Sequence, residues 1–128
     1  MAGPPWVDDV GSIPDGCQLW RAVPPVSLYP PSPETGQQGF SNSILRDEQM
    51  SVYIIGEKTP EAMRAQFPGC RFLVFTAGAI RAKGFMVMRD PDEVGDTSHA
   101  VVLRSDKPGS RWSGGPAKEL KSIASWAE

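Results

Sequence analysis

The chain has one histidine and two cysteines, and this scarcity limits the metal and redox chemistry it can carry. Cys17 and Cys70 lie far apart, and no Cys-x-x-Cys pair is present, so the spacing gives no zinc signature. The acidic stretch 90-DPDEVGD-96 lacks the Asp-x-Asp-x-Asp-Gly spacing and the closing glutamate of a calcium loop. We therefore expect no metal site.

Long apolar runs and a strong net charge are also missing. No stretch approaches the roughly 20 apolar residues of a membrane span, and the N-terminus lacks the basic and apolar regions of a secretory signal. The formal net charge of −2 argues against nucleic-acid binding, and the basic excess between Arg104 and Lys121 is more typical of a solvated face. We expect a cytoplasmic protein with reduced thiols and no membrane contact.

The composition is that of one folded domain. A chain of 128 residues can bury a core without metal or disulfide help, and 40% hydrophobic residues is ordinary for a folded protein. Thirteen glycines and thirteen prolines predict many turns and short elements. We expect an N-terminal arm at 1–18 and a single compact domain at 19–128, with a Pro-rich loop at 24–39.

Apolar patterning predicts about five short strands and two to three helices. Thr59 and Pro60 predict a helix start, a short helical turn is expected at 78–83, and an amphipathic helix is expected at 117–127. The result is an α+β fold with a mixed or mainly antiparallel sheet. The segment 51–76 forms either one βαβ unit or two strands in different parts of a split sheet. The strands cover 19-LWRAV-23, 51-SVYIIGE-57, 71-RFLVFTA-77, 85-FMVMRD-90 and 98-SHAVVLR-104.

Three positions invite a functional interpretation from pattern alone. Arg21 falls on an apolar face of the first strand, so that face is solvated there or Arg21 points into a cleft. His99 shares a strand face with Val101 and Leu103, and is either a packed histidine bonded to backbone or a site residue. Trp112 beside Arg111 would form an interaction patch if exposed; otherwise it is a packing anchor.

The segments 19-LWRAV-23, 39-GFSNS-43, 51-SVYI-54 and 59-TPEAM-63 form a pattern over about residues 19–65. This pattern resembles the opening of RES-type and other ADP-ribosyltransferase-like domains. The resemblance implies NAD as cofactor, held at its phosphates by the Arg21 fork. It also implies Ser41 at the ribose or at a strand edge and Tyr53 stacked on nicotinamide, with His99 as a further polar group if the strands meet in one cleft.

The chain departs from that family pattern in two ways. Only 39-GFSN-42 stands where RES-type domains have a Gly-Arg-Trp-Asn-like stretch, and no glutamate lies in or beside the last predicted strand. Glu57, Glu61 and Glu93 would be improvised substitutes. The strand ending in 75-FTAG-78 and the late His-Ala strand also resemble a set of small bacterial proteins, which implies no function.

No P-loop, Gly-x-Ser-x-Gly, His-Glu-x-x-His or Gly-x-Gly-x-x-Gly motif occurs. The sequence therefore favours a domain that binds a protein partner, with no complete catalytic set and no cofactor. The alternative is an NAD-consuming transferase or glycohydrolase of the ADP-ribosyltransferase type, or a degenerate relative of one.

Overall fold

The computed structural model describes residues 4–36, 38–46, 50–91 and 95–127. Within these ranges the α-helices are α1 (Pro60–Gln66), α2 (Ala77–Ala82) and α3 (Gly114–Ile123), and two 3-10 turns cover Pro25–Ser27 and Asn42–Leu45. The strands are β1 (Gln18–Val23), β2 (Leu28–Tyr29), β3 (Gly39–Phe40), β4 (Met50–Ile54), β5 (Arg71–Thr76), β6 (Phe85–Arg89), β7 (His99–Arg104) and β8 (Ser125–Trp126).

In the described part of the chain, six strands form an antiparallel sheet in the order β6-β7-β4-β1-β5-β8, and β2 pairs with β3 in a separate ribbon. The predicted α+β class is thus confirmed. Because β1 is antiparallel to both β4 and β5, those two strands run parallel with β1 between them. Together with α1 they form a split βαβ unit, the second of the two arrangements left open for 51–76.

The central sheet is apolar on both faces, as alternation along its strands requires. One face packs Leu19, Val52 and Phe75 against α2 and α3 in the main core. The other face places Trp20 and Phe72 against Met63 of α1. Each face is therefore covered by helix, and this explains why the strands carry few polar positions.

An N-terminal arm covers the outer edge of β6. The amide of Asp9 donates to the carbonyl of Val87 at 2.9 Å, and the amide of Val87 donates to the Asp8 carboxylate at 3.1 Å. Trp6 packs on the adjacent cluster of β6 and β7 side chains and lies against Gly109, where an added Cβ would be 2.7 Å from its ring. The arm therefore protects a sheet edge that would otherwise expose unpaired backbone groups.

The C-terminal helix differs from the predicted 117–127. It begins at Gly114, which places Pro116 in its first turn. Proline is tolerated there because the N–H groups of the first turn need no helical acceptor. It ends at Ile123, Ala124 is extended with φ −85° and ψ 145°, and β8 follows against β5. None of the described helices combines the length and the apolar character that a membrane span requires.

Candidate functional site

Arg21 lies where β1 and β4 separate. The paired residues of the two strands are Leu19↔Ile54 and Trp20↔Tyr53. Just beyond them, Nη1 of Arg21 donates to the carbonyl of Ser51, and Nε donates to the carbonyl of Ile44, both at 2.9 Å. The guanidinium therefore ties β4 and the 3-10 turn at Asn42–Leu45 to β1, and two of its donors serve the fold.

Tyr53 and His99 are direct cross-strand neighbours, with ring centroids 5.2 Å apart. His99 is buried, and its Nδ1 is hydrogen-bonded to the backbone carbonyl of Asp90. The Tyr53 ring also lies under Lys58, whose Nζ is 4.3 Å from the ring centroid. The geometry of His99 is that of a packed histidine bonded to backbone, one of the two predicted alternatives.

Ser41 has a local structural task. Its Oγ accepts from the amide of Ser43 at 3.3 Å, which caps the 3-10 turn, and its own amide donates to the carbonyl of Ser27 at 2.8 Å. Arg21 and Tyr53 line a cavity of about 350 Å³, whereas Ser41 lines a different depression. The residues implied by the family resemblance are thus brought together only in part.

The glutamates considered as catalytic substitutes lie elsewhere. Glu57 forms a bidentate pair with Arg89, with both N···O distances 2.7 Å, and Glu61 is exposed in the first turn of α1. The hydrogen bond from Arg89 lowers the pKa of Glu57, against a smaller opposing effect of burial. Glu93, and Asp92 of the acidic stretch, lie outside the described residues.

Trp112 is a core residue, which is the packing anchor of the two predicted alternatives, and the exposure that a patch with Arg111 requires is not met. Its ring is 3% exposed, packs edge-on against Phe85 at 5.2 Å, and donates Nε1 to the carbonyl of Leu45. Arg111 is exposed beside it. The Trp112 ring is buried because it packs in the main core, between β6 and the 3-10 turn at Asn42–Leu45.

A groove of about 520 Å³, which sequence reasoning missed, lies at the β8 edge of the sheet. Arg71 of β5 lies over the Trp126 ring, with Cζ 4.4 Å from the centroid, and its Nη1 donates to Oε1 of Gln38 at 3.1 Å. Lys121 of α3 lies over the Phe40 ring, with Nζ 4.9 Å from the centroid. We call this feature the Arg71–Trp126 groove.

The two rings of the groove hold each other in place. Phe40 and Trp126 meet edge-to-face at 5.5 Å, and Nε1 of Trp126 donates to the carbonyl of Gln38 at 3.3 Å. No acidic side chain is among the described residues that line the groove. The groove therefore presents two cations, each of which lies over one of two adjoining aromatic rings.

A second depression, of about 380 Å³, adjoins the groove, since Phe40 and Lys121 line both. Its other polar lining includes two hydroxyls, an amide and a guanidinium. We call it the Ser41–Arg46 depression; these polar residues are Ser41, Asn42, Ser43 and Arg46.

Within the described ranges, no group of three or more His, Cys, Asp or Glu side chains is placed to hold a metal ion. Asp96, from the acidic stretch, is instead paired with Lys58 and hydrogen-bonded by Ser98. Comparison of the chain with protein-family models, curated proteins and solved structures found no match.

Proposed function

We propose that the chain is a protein-binding domain that takes an acidic, extended segment of its partner in the Arg71–Trp126 groove. The observation that carries this proposal is the pair of cations, Arg71 and Lys121, held over adjacent aromatic rings in one groove. Carboxylates are the natural partners of such cations, because a guanidinium fork and an ammonium both donate several hydrogen bonds.

The covered rings favour an acidic peptide over a nucleic acid. Proteins that bind single strands rely on aromatic faces that bases can stack on. Here Arg71 lies over Trp126 and Lys121 lies over Phe40, so the groove offers charge where a nucleic-acid site would offer ring faces. Tyr29, 54% exposed on the rim of the adjoining depression, adds an aromatic contact of the kind that protein interfaces favour.

The aromatic rings contribute to affinity by holding the cations in place before the partner binds. A free arginine or lysine loses rotamer entropy on binding, and the stacking contact and the Gln38 hydrogen bond remove part of that cost for Arg71 in advance. Each exposed ion pair adds only about 0–1 kcal/mol. Binding is therefore expected to need several carboxylates and to weaken with added salt.

A titration with a defined peptide tests the proposal. A fluorescein-labelled peptide of alternating glutamate and alanine is added to the full chain at low salt, and fluorescence anisotropy is recorded. We expect binding that is lost with glutamine in place of glutamate and that falls about tenfold in the Arg71→Gln/Lys121→Gln double variant. Lys118→Gln, an exposed cation of α3 outside the described lining of the groove, is the matched control and should bind as the wild type does.

Two results would contradict this function. One is absence of binding by the glutamate peptide under conditions in which circular dichroism shows the chain folded. The other is equal loss of affinity in Lys118→Gln and in the double variant, because that would assign the binding to overall charge and not to the groove.

An NAD-handling enzyme of the ADP-ribosyltransferase type is the second candidate. It is favoured by the cavity that Arg21 and Tyr53 share and by the ring contact between Tyr53 and His99. Incubation with NAD should then release nicotinamide, and Tyr53→Ala, which removes a ring that lines this cavity, should abolish the release while circular dichroism shows the chain folded. No release, together with no shift of the melting temperature by NAD, would exclude this candidate.

A further inference from the structure

We propose that the Ser41–Arg46 depression is a phosphate subsite, so that the acidic segment bound in the groove carries a phosphorylated side chain. This inference rests on the proposed function and names its partner more closely: an acidic phosphopeptide. It gives the polar residues of the depression a common role.

The donors that line the depression fit a phosphate group. Ser41 and Ser43 bring hydroxyls that form a hydrogen bond with each other at 2.8 Å, so that one of the two hydroxyl hydrogens can be donated to a ligand, and Arg46 brings a guanidinium. A phosphomonoester carries about −1.5 to −2 charge at neutral pH and three strong acceptor oxygens, more than a carboxylate can offer. Arginine can donate to it bidentately, while the hydroxyls and the Asn42 amide can supply the remaining hydrogen bonds.

The charge of the depression agrees with a dianion. Arg46 and Lys121 both line it, and no carboxylate is among its described lining residues. Arg71, which lines only the groove, lies over an aromatic ring, whereas Arg46, which lines only the depression, shares that lining with hydroxyl and amide groups. The two sites therefore suit different anions: carboxylates in the groove and a phosphate in the depression.

Continuity of the two sites allows one segment to reach both. Phe40 and Lys121 form the boundary, so an extended chain that leaves the groove passes directly into the depression. Lys121 can contact either anion, because its ammonium is a mobile point charge on a flexible stem. Arg46 belongs to the depression alone and Arg71 to the groove alone, which makes them separable in an experiment.

The test compares two peptides on the folded full chain: the glutamate–alanine peptide and the same peptide with one internal phosphoserine. We expect the phosphopeptide to bind about tenfold tighter in the wild type. This affinity ratio should fall to about one in Arg46→Gln and fall partway in Ser43→Ala, and it should be kept in Lys118→Gln.

Three controls distinguish binding of a phosphopeptide from binding of phosphate of another source and from an effect of charge alone. A peptide with two glutamates in place of the phosphoserine should not reproduce the gain. Inorganic phosphate alone should shift the backbone amide signals of residues 41–43 and compete with the phosphopeptide. An Arg46-dependent sedimentation with phosphatidic-acid vesicles, without any gain for the phosphopeptide, would overturn the peptide assignment.

Failure of this inference and failure of the groove proposal give different results. If both peptides bind equally and Arg71→Gln/Lys121→Gln weakens both, the groove proposal stands and the phosphate subsite is wrong. If only the phosphopeptide binds and Arg46→Gln abolishes its binding, the subsite stands and the acidic-groove proposal is wrong.

Discussion

At the scale of single residues, three arginines join segments that are far apart in the chain. Arg21 links β1 to two carbonyls near β4, and Arg81 of α2 binds Asp8 and Asp15 of the N-terminal arm. Arg89 joins β6 to Glu57 and to the arm. The planar guanidinium of arginine can donate to several acceptors at once. A single arginine side chain can therefore hold together segments that are distant in sequence.

The buried position of Trp112 predicts how a single substitution changes the free energy of unfolding. Trp112→Phe keeps an aromatic ring in the core but leaves the buried carbonyl of Leu45 without its donor. The free energy of unfolding should fall by about 2–4 kcal/mol, from the lost hydrogen bond and the smaller ring. Arg111→Ala, at the exposed neighbour, should change it by less than about 0.5 kcal/mol.

Urea denaturation followed by circular dichroism measures both values. If Trp112→Phe were as stable as Arg111→Ala, the buried position of the Trp112 ring and its bond to Leu45 would be contradicted.

At the scale of elements, the N-terminal arm shows what local patterns leave open. Its prolines, glycines and aspartates predict only a loop-like segment, yet Asp8 and Asp9 accept the amides of Val87 and Arg89 along the outer edge of β6. Carboxylates are used here as edge partners for a strand distant in sequence. No periodicity within residues 1–18 carries that information, because the partner is chosen by the folded sheet.

The Asp8→Ala/Asp9→Ala double variant tests this edge cover. Loss of the two acceptors should expose the β6 amides and lower the free energy of unfolding by about 2–4 kcal/mol. Amide hydrogen exchange should accelerate at Val87 and Arg89. Asp106→Ala, which removes an exposed pair with Arg104, is the control, with a loss of at most about 1 kcal/mol. Unchanged exchange at Val87 in the double variant would show that the carboxylates do not hold the edge.

The strands and helices of the domain were more predictable than its last segment. Strand β4 can be predicted from the β-propensity of Val52 and Ile54. The start of α1 can be predicted from Thr59, whose side chain caps the helix by accepting a hydrogen bond from the amide of Ala62. By contrast, the spacing of Leu120, Ile123 and Trp126 suits a longer helix. Instead Trp126 packs against Phe40 and pairs with Leu73 as part of β8, and both contacts join residues far apart in sequence.

At the scale of the whole molecule, the candidate site is assembled from five separate segments. Gln38 comes from the Pro-rich segment, Phe40 from β3, Arg71 from β5, Lys121 from α3 and Trp126 from β8. No short motif joins them, and the topology that brings β8 beside β5 is itself not visible as a pattern. Local pattern pointed to Arg21 and His99, and the family resemblance pointed to Ser41 and Tyr53. Neither pointed to the cations that share the groove.

Two carboxylates that hold distant segments together predict how stability changes with pH. The Arg89 hydrogen bond lowers the pKa of Glu57. Burial raises the pKa of Asp96, but hydrogen bonds from Lys58 and Ser98 outweigh it, so this pKa also lies below its ordinary value. In the unfolded chain both groups return to ordinary values, near 4.5 for Glu57 and 3.8 for Asp96.

Because both pKa values are lower in the folded state, each pair stabilises the fold fully above the unfolded value. That contribution is lost as the pH falls through the folded value. The free energy of unfolding, measured by urea denaturation, should therefore be steady near neutral pH and decrease as the pH falls from about 5 to about 3. Glu57→Gln, which cannot ionise, should be less stable at neutral pH and should show a shallower decrease. A free energy of unfolding that rises over this acidic range, or an equal slope in Glu57→Gln, would contradict the role of the Glu57–Arg89 pair.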